Sequence, residues 1–317
     1  MTIPVSKAAD VGGWFRTARD GVTLPSREDW GPGTGGFGLE SPRFELRQAL
    51  ELLQDRRVLV LTGAGMSTGS GLPDYRGRNA APRSPMLYSE FVGSDLSRRR
   101  YWARSTVGWR HFRNATPGAA HQALARLAGL LDVIGVVTQN VDGLHQQAGL
   151  KQVVDLHGNL ADVICLGCRD RTSREALQTQ FLELNPTFAT RLETLEAEAA
   201  NAPDGDAEVD RTETFDYPHC GACGGILKPD VVFFGENAHK PTVEEAFRLF
   251  DDSETVLVLG SSLTVMSGLR FVRRARQQGK SVVIAGDGHT RGDEFADVRI
   301  HGFLEQILPA WESLLQT

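Results

Sequence analysis

The sequence predicts an α/β fold in which a parallel β-sheet carries helices on both faces and is interrupted by two inserts. Three observations carry that reading. Short apolar runs, partly β-branched, recur at residues 58–61, 133–137, 153–154, 256–259 and 282–284, as strands buried on both sides require. Helical patterns at 121–131, 241–250 and 268–278 lie between several of these runs, where the crossovers of a parallel sheet belong. Two stretches, 77–116 and 161–225, break the rhythm.

Taken in order, residues 1–40 are rich in Gly, Pro and Ser, end in GPGTGGFG, and read as an extension without a core of its own. An amphipathic helix, FELRQALELLQ, opens the globular part from about Ser41, which then runs over 41–317. Its sheet domain is assembled from 41–76, 117–160 and 226–317. The first insert, 77–116, is Arg-rich and mostly helical, with Tyr88, Phe91, Tyr101, Trp102 and Trp109. The second, 161–225, holds all the cysteines, and between its cysteine pairs the sequence reads as one helix followed by an acidic, solvated loop.

The 317 residues carry 34 Lys+Arg against 40 Asp+Glu, a net charge of -6, with a pI near 5.8 and a mean hydropathy of -0.24. That balance offers no general phosphate-tracking surface, so nucleic acid is not an expected partner. No apolar run approaches the roughly 20 residues of a membrane span, so no membrane is expected either. The start, MTIPVSKAADVGGWF, lacks a basic lead into an apolar core, and the cytosol is the expected compartment.

Four clusters carry chemistry. Directly after the first strand comes Thr62-Gly63-Ala64-Gly65-Met66-Ser67-Thr68-Gly69-Ser70-Gly71, whose glycines let the backbone turn toward a pyrophosphate. The acid that would end the second strand of a hydride-transfer enzyme is absent, and Leu72-Pro73-Asp74-Tyr75-Arg76-Gly77 follows instead. At the end of a later strand lies Thr138-Gln139-Asn140-Val141-Asp142-Gly143-Leu144-His145, which puts two amides and a carboxylate where α/β sheets bind ligands; an Asx turn closing the strand is the alternative. Asp155-Leu156-His157-Gly158-Asn159 places a histidine after a short strand, either as a general base or as a structural residue. Finally, two CxxC pairs, Cys165/Cys168 and Cys220/Cys223, are the chain's only cysteines. Two such knuckles complete a tetrahedral four-sulfur site with no open position, predicting a structural zinc rather than redox thiols.

Two more segments belong with these. Leu227-Lys228-Pro229-Asp230-Val231-Val232-Phe233-Phe234-Gly235-Glu236 is extended, and can either pair with a peptide by strand addition or serve as an internal strand. Gly260-Ser261-Ser262 follows the strand at 256–259, again where a nucleotide would lie.

Together the motifs GAGMSTGSGLPDYR, TQNVDGLH, His157-Gly158, the CxxC pairs, VVFFGE and GSSL resemble, in kind and in order, the sirtuin family of NAD-dependent protein deacylases over residues 41–317. PDYR, YWARSTVGW and the long segment between the cysteine pairs look most like the branch holding the mitochondrial lipoamidase/ADP-ribosyltransferase sirtuin and its bacterial relatives. The resemblance implies a Rossmann-like sheet domain with an inserted small structural-zinc module and a helical module, and it implies NAD and an acyl-lysine protein or peptide as the molecules bound between them.

Carried over motif by motif, Gly63, Ala64, Gly65, Tyr75 and Arg76 would hold the diphosphate and shield the ribose. Gln139, Asn140 and Asp142 would contact the ribose and nicotinamide amide, with Asn140 counted among the catalytic residues. Gly260, Ser261 and Ser262 would approach the adenosine half. Val231, Val232, Phe233 and Phe234 would hold the substrate strand. His157 would act as general base with a pKa near neutrality, giving a loss of rate on the acid side of pH 5–8. The family's adenine-ribose Asn is replaced in Gly286-Asp287-Gly288, so that either Asp287 takes the ribose hydroxyl or NAD is held more weakly, and a backbone contact near adenine falls at Leu304. Tyr101 and Arg104 have the spacing of the desuccinylase branch, but their flanks do not match it. The same site also suits mono-ADP-ribosyl transfer, and a non-catalytic NAD-binding scaffold is the reading from another class.

Overall fold

The computed structural model describes residues 43–74, 85–198, 209 and 212–316. The 1–40 extension, most of the acidic loop, and the cofactor-loop residues Tyr75 and Arg76 lie outside the described residues. In chain order the elements are α1 (Arg43–Glu51), β1 (Val58–Thr62), α2 (Tyr88–Gly93), α3 (Asp95–Asn114), α4 (Ala119–Leu127), β2 (Val133–Thr138), α5 (Leu144–Gln147), β3 (Val153–Asp155), β4 (Gly158–Cys165), β5 (Arg171–Ser173), α6 (Arg174–Leu184), α7 (Pro186–Ala189), α8 (Leu192–Glu198), β6 (Leu227–Val231), α9 (Lys240–Asp252), β7 (Thr255–Leu259), α10 (Met266–Gln277), β8 (Ser281–Gly286), β9 (Val298–His301) and α11 (Leu304–Leu315).

Six strands form the larger sheet, in the order β3-β2-β1-β7-β8-β9, and every neighbouring pair is parallel. The apolar runs explain its two-sided burial. Val58 and Val60 of β1 enter one core with Leu257, Leu259, Val283 and Ala285. Leu59 and Leu61 enter the opposite core with Val256, Val258, Val282 and Ile284. Period-two alternation thus sends apolar side chains both ways, which is why these strands show no polar face. Residues of α1, α4 and α11 cover the first face, with Trp311 donating its indole N–H to the Leu46 carbonyl at 3.1 Å. Residues of α9 and α10 cover the second.

The inserts form a second body. A three-stranded antiparallel sheet, β5-β4-β6, packs with α3 and α6 around a third core rich in rings: Phe91, Tyr101, Trp102, Trp109, Phe181, Phe215 and Phe233. This small sheet covers residues 158–231, wider than the 161–225 expected, because the strands flanking the cysteine pairs join each other and not the large sheet. The single helix expected at the start of residues 182–210 is instead the end of α6 followed by α7 and α8. The break falls at Asn185-Pro186, where proline cannot supply the next helical N–H and Asn185 turns to bond Asp216 with both ends of its amide, at 2.7 Å each. Strand β9 and helix α11 were not anticipated. Both lie beyond the last apolar run read from the sequence, and β9 is short and alternates buried with half-buried residues. No helix among the described residues is long and apolar enough to cross a membrane.

Candidate active site

The chain leaves β1 toward β2 on one side of the sheet, whereas β7 leads outward to β8 on the other. Such a reversal opens a crevice at the carboxyl ends of the strands, here between β1 and β7. Both strands end in glycine-rich turns that hold each other there. Gly63 N–H donates to Leu259 O at 3.1 Å and Gly65 N–H to Gly260 O at 2.9 Å. Gly260 has φ +61, and a Cβ on it would sit 2.6 Å from Gly65 C and Met66 N. Only glycine meets both demands. Gly260→Ala is therefore expected to lower the melting temperature by several degrees and raise the KM for NAD at least several-fold, read by thermal melts and initial rates; an unchanged pair of values would refute the packing described.

Three side chains of the β2 loop tie this crevice together. Gln139 Nε2 donates to Ser261 Oγ at 2.7 Å and to Thr62 O at 3.3 Å. Asn140, buried, donates from Nδ2 to Gly63 O at 3.1 Å and Ser67 Oγ at 3.0 Å. Ser67 in turn donates to Asp142 at 2.7 Å, and the other oxygen of Asp142 accepts Leu144 N–H at 2.9 Å, an Asx turn opening α5. The Asx turn offered as the alternative for this motif is thus present, and it leaves one oxygen of Asp142 bonded to Ser67 at the crevice. The motif's last residue, His145, is fully buried and bonds Thr62 Oγ1 at 2.8 Å beneath the loop.

His157 occupies the turn where the chain crosses from β3 of the large sheet to β4 of the small one. Gly158, beside it, has φ +83, and a Cβ there would lie 1.9 Å from Asp230 O. Glycine in this position lets β6 approach, and His157 O accepts Val232 N–H at 2.8 Å. The imidazole Nδ1 faces Gln139 O at 3.0 Å and Nε2 faces Ser267 Oγ at 2.9 Å. Part of the residue is open to the cleft. Protein nonetheless surrounds the ring closely enough for burial to push its pKa down to about 4, a shift the Gln139 carbonyl only partly offsets. The near-neutral base expected from the sequence is corrected accordingly. With His157 as the base, the acid limb of kcat/KM is expected below the 5–8 window, because a group enclosed in protein loses the solvation of its charged form.

Strand β6 is an edge of the small sheet, so the extended segment does present backbone. Its side chains divide: Val231 and Phe233 are in the aromatic core, Val232 packs against the large domain, and Phe234 bridges to Leu87. Phe233 stands 5.1 Å from Tyr101, ring to ring, so Tyr101 is a wall of this region, whatever acyl group enters it. Sequence reasoning missed the lysine beneath this segment. Lys228, 3% exposed, donates to the carbonyls of Pro229 and Val231, pairs with Glu236 at 3.1 Å, and lies 4.8 Å from the Phe233 ring centre. Glu236 also accepts Phe233 N–H at 2.9 Å. Burial lowers the Lys228 pKa, and Glu236 opposes that shift. A buried, fully bonded ion pair thus pins residues 228–236; the only trace in the sequence is two charges bracketing an apolar run.

The remaining expected residues sit at the far end of the crevice. Ser262 accepts from Thr264 Oγ1 at 3.2 Å. Gly286 and Gly288 both have positive φ, +148 and +74, and their carbonyls accept from Arg299, which holds the turn where an Asn was expected. Asp287 is exposed. The side chain of Leu304 is buried in the first core, so a ligand could meet only its backbone.

The four cysteine sulfurs lie within 4.8 Å of one another, with Cys165–Cys223 at 3.5 Å and Cys168–Cys220 at 3.6 Å. A tetrahedral zinc with bonds of about 2.3 Å needs sulfurs roughly 3.8 Å apart, so the residues fit that ion. Cys168 N–H and Gly167 N–H point at Cys165 Sγ, 3.5 and 3.3 Å away, and with Cys168 N–H as the larger influence they bring its pKa down to about 6. The knuckle thus favours thiolate at Cys165, whereas at Cys168 the backbone of Asp170 lowers the pKa but the neighbouring sulfurs of Cys223, Cys165 and Cys220 push the thiol up to about 12. The crevice likewise suits a dinucleotide, since the loops after β1, β2 and β7 converge at the strand ends, with Ala64 and Gly65 half-buried there.

Comparisons with known proteins agree with this architecture. The Sir2 family profile matches residues 63–267. An NAD-dependent protein deacetylase 1 of Mycobacterium avium (strain 104) is 50% identical over 266 residues, spanning 84% of this chain and 94% of that protein. A structure solved in work on the mechanism and regulation of Sir2 enzymes superimposes with a TM-score of 0.67 at 28% identity, covering 87% of this chain and 99% of the other. A Sir2 solved with a p53 peptide and NAD+ does so with a TM-score of 0.63 at 26% identity, covering 86% and 97%.

Proposed function

The chain belongs to the Sir2 family, and from that premise we propose that it is an NAD-dependent protein-lysine deacylase of the deacetylase type. One observation carries the reading beyond family membership: the turn that bears His157 is bonded on one side to Gln139, which reaches Ser261 and Thr62 in the dinucleotide crevice, and on the other to Val232 on the substrate strand. A base at that junction faces both substrates at once.

NAD, when bound, supplies an electrophilic ribose carbon as its nicotinamide departs. The chain's own residues prepare for it. Gly63, Ala64 and Gly65 offer backbone at the crevice, Gln139 and Asn140 lock the loops that frame the ribose, and Asp142 fixes Ser67 and the α5 turn. Lys228 and Glu236 keep residues 231–234 extended for an incoming peptide strand. His157, neutral at physiological pH with Nδ1–H committed to Gln139 O, keeps its proton-accepting lone pair on Nε2. The zinc module shapes the small sheet through the four thiolates and takes no part in bond breaking, since a four-sulfur site has no open position. The cytosol is the compartment we propose, because two CxxC pairs at metal-ligand spacing suit a reducing compartment better than a disulfide framework would.

The test is product identity. Purified, zinc-replete protein is incubated with NAD and a pool of acetyl-, succinyl-, lipoyl- and long-acyl-lysine peptides, and mass spectrometry follows nicotinamide, O-acyl-ADP-ribose and free-lysine peptide. Equal amounts of the three establish deacylation and name the acyl group. Nicotinamide released with a protein mass gain of one ADP-ribose, and no O-acyl-ADP-ribose, would instead establish ADP-ribosyl transfer. Absence of nicotinamide from NAD-binding protein would leave only a scaffold.

A further inference from the structure

The first turn of α10 carries a residue that no sequence motif singled out. Ser267, fully buried, faces Nε2 of His157 at 2.9 Å. Hydrogen-bond roles here are fixed by elimination. Gln139 O can only accept, so the 3.0 Å contact to Nδ1 requires the proton on Nδ1. In the neutral ring Nε2 is then a lone pair, and Ser267 must donate its hydroxyl proton to it.

We propose that Ser267 is the positioning residue of the base: it caps the Nε2 lone pair of His157 in the unliganded protein and yields that place to the ribose hydroxyl during turnover. The inference rests on the deacylase reading and deepens it. No atom is lost or gained in the exchange. The Ser267 O–H bond rotates away, the ribose O–H takes its place against Nε2, and the ribose proton passes to that nitrogen as its oxygen becomes the nucleophile. Because Ser267 is sealed from solvent, its hydroxyl cannot relay the proton; it can only hold the ring or release it.

A second observation shows that the same turn is built around the site. A Cβ on Gly268, next in sequence, would come within 2.7 Å of Gln139 Oε1 and 3.1 Å of its Nε2. The Gln139 amide therefore packs directly on α10. The Ser267-Gly268 pair thus meets the base through the serine side chain and, through the lack of one at Gly268, admits the side-chain amide of Gln139, the residue whose backbone carbonyl holds the base. The helix contributes no competing charge to the imidazole. Arg270 of α10, Asp142 of the β2 loop, Asp155 of β3, and Lys228 and Asp230 of β6 are the charged groups on the surrounding elements, and the large influences on His157 are instead burial and, against it, the Gln139 carbonyl.

A hydroxyl donates to the neutral ring but accepts from the imidazolium, and the charge-assisted bond is the stronger, so Ser267 favours the protonated ring. Ser267→Ala is expected to lower the midpoint of His157, read by ¹⁵N histidine NMR in the unliganded protein and assigned against His157→Gln, by roughly half to one pH unit. The acid limb of kcat/KM for NAD should move down by the same amount, while the KM for NAD at pH 8 stays within about twofold. Ser267→Cys, a weaker hydrogen-bonding group of similar size, should fall between the two. A midpoint that stays or rises in Ser267→Ala overturns the proposal. The NMR measurement needs no turnover, so it separates the two levels: a lowered midpoint with an unmoved rate limb keeps the Ser267 contact and refutes His157 as the base.

Discussion

His157→Ala should lower kcat/KM for the acyl-lysine peptide by a factor on the order of 10²–10⁴, the usual contribution of a positioned general base. The variant should keep its zinc, its circular dichroism and its affinity for NAD within a few-fold. The reason lies in where the residue sits. Its backbone ties β4 to β6 through Val232 N–H, and alanine preserves that bond. The Nδ1 and Nε2 contacts to Gln139 and Ser267 are lost; Gln139 O lies at the strand-end crevice, whereas Ser267 is fully buried. Stability should therefore fall by no more than the cost of one unpaired buried hydroxyl, about 1–3 kcal/mol, while chemistry collapses. Isothermal titration with NAD and initial rates of nicotinamide release make the separation. A variant that retains more than a tenth of wild-type kcat/KM at pH 7.5 would remove His157 from the mechanism. One that fails to bind NAD would assign it to architecture.

Much of this site was legible because its residue types are dictated by backbone geometry and metal chemistry. Parallel strands buried on both faces must read as continuous apolar runs, and the five recognised at 58–61, 133–137, 153–154, 256–259 and 282–284 are β1, β2, β3, β7 and β8. Gly260 and Gly158 occupy positions that other residues cannot enter, so their motifs survive as local signals. The cysteine pairs announce themselves by spacing. What stayed hidden depends on contacts across long separations. Ser267 and His157 are 110 residues apart in the chain, and a serine at the start of a helix resembles any other. Lys228 looks like a surface charge until the fold buries it against Phe233. The small sheet was underestimated because β4 and β6 meet only across the whole cysteine-bearing insert. The pKa of His157 was misjudged for the same reason: burial is a property of the assembled cleft, not of the sequence Asp155-Leu156-His157-Gly158.

Removal of one zinc ligand should damage the enzyme as badly as removal of the base, by a different route. Cys165→Ser is expected to abolish stoichiometric zinc, cut activity below a tenth of wild type, and give an early unfolding transition in thermal melts; chelation of the wild-type protein should reproduce all three. Cys165 is fully buried at the end of β4. It accepts two backbone N–H groups of its knuckle, and its own N–H bonds Asp170 O at 2.8 Å. The knuckle opposite is anchored by Cys220 N–H to Gly225 O at 2.9 Å, just before β6. The four-sulfur site therefore clamps the ends of the two strands that carry the substrate edge and lead into His157-Gly158. Without the ion, four thiols crowded within 4.8 Å have no bond to hold them, and metal-binding free energy that served as folding free energy is lost. Loss of β4–β6 pairing then releases Val232 from His157 O and uncovers the aromatic core. The large sheet, whose two cores are built from other residues, should persist, so far-ultraviolet dichroism falls only in part and NAD protects the remaining transition. Unchanged activity in a zinc-free, monodisperse Cys165→Ser protein would show that the small sheet stands without its metal. Complete unfolding in one transition would show that the two bodies fold as one.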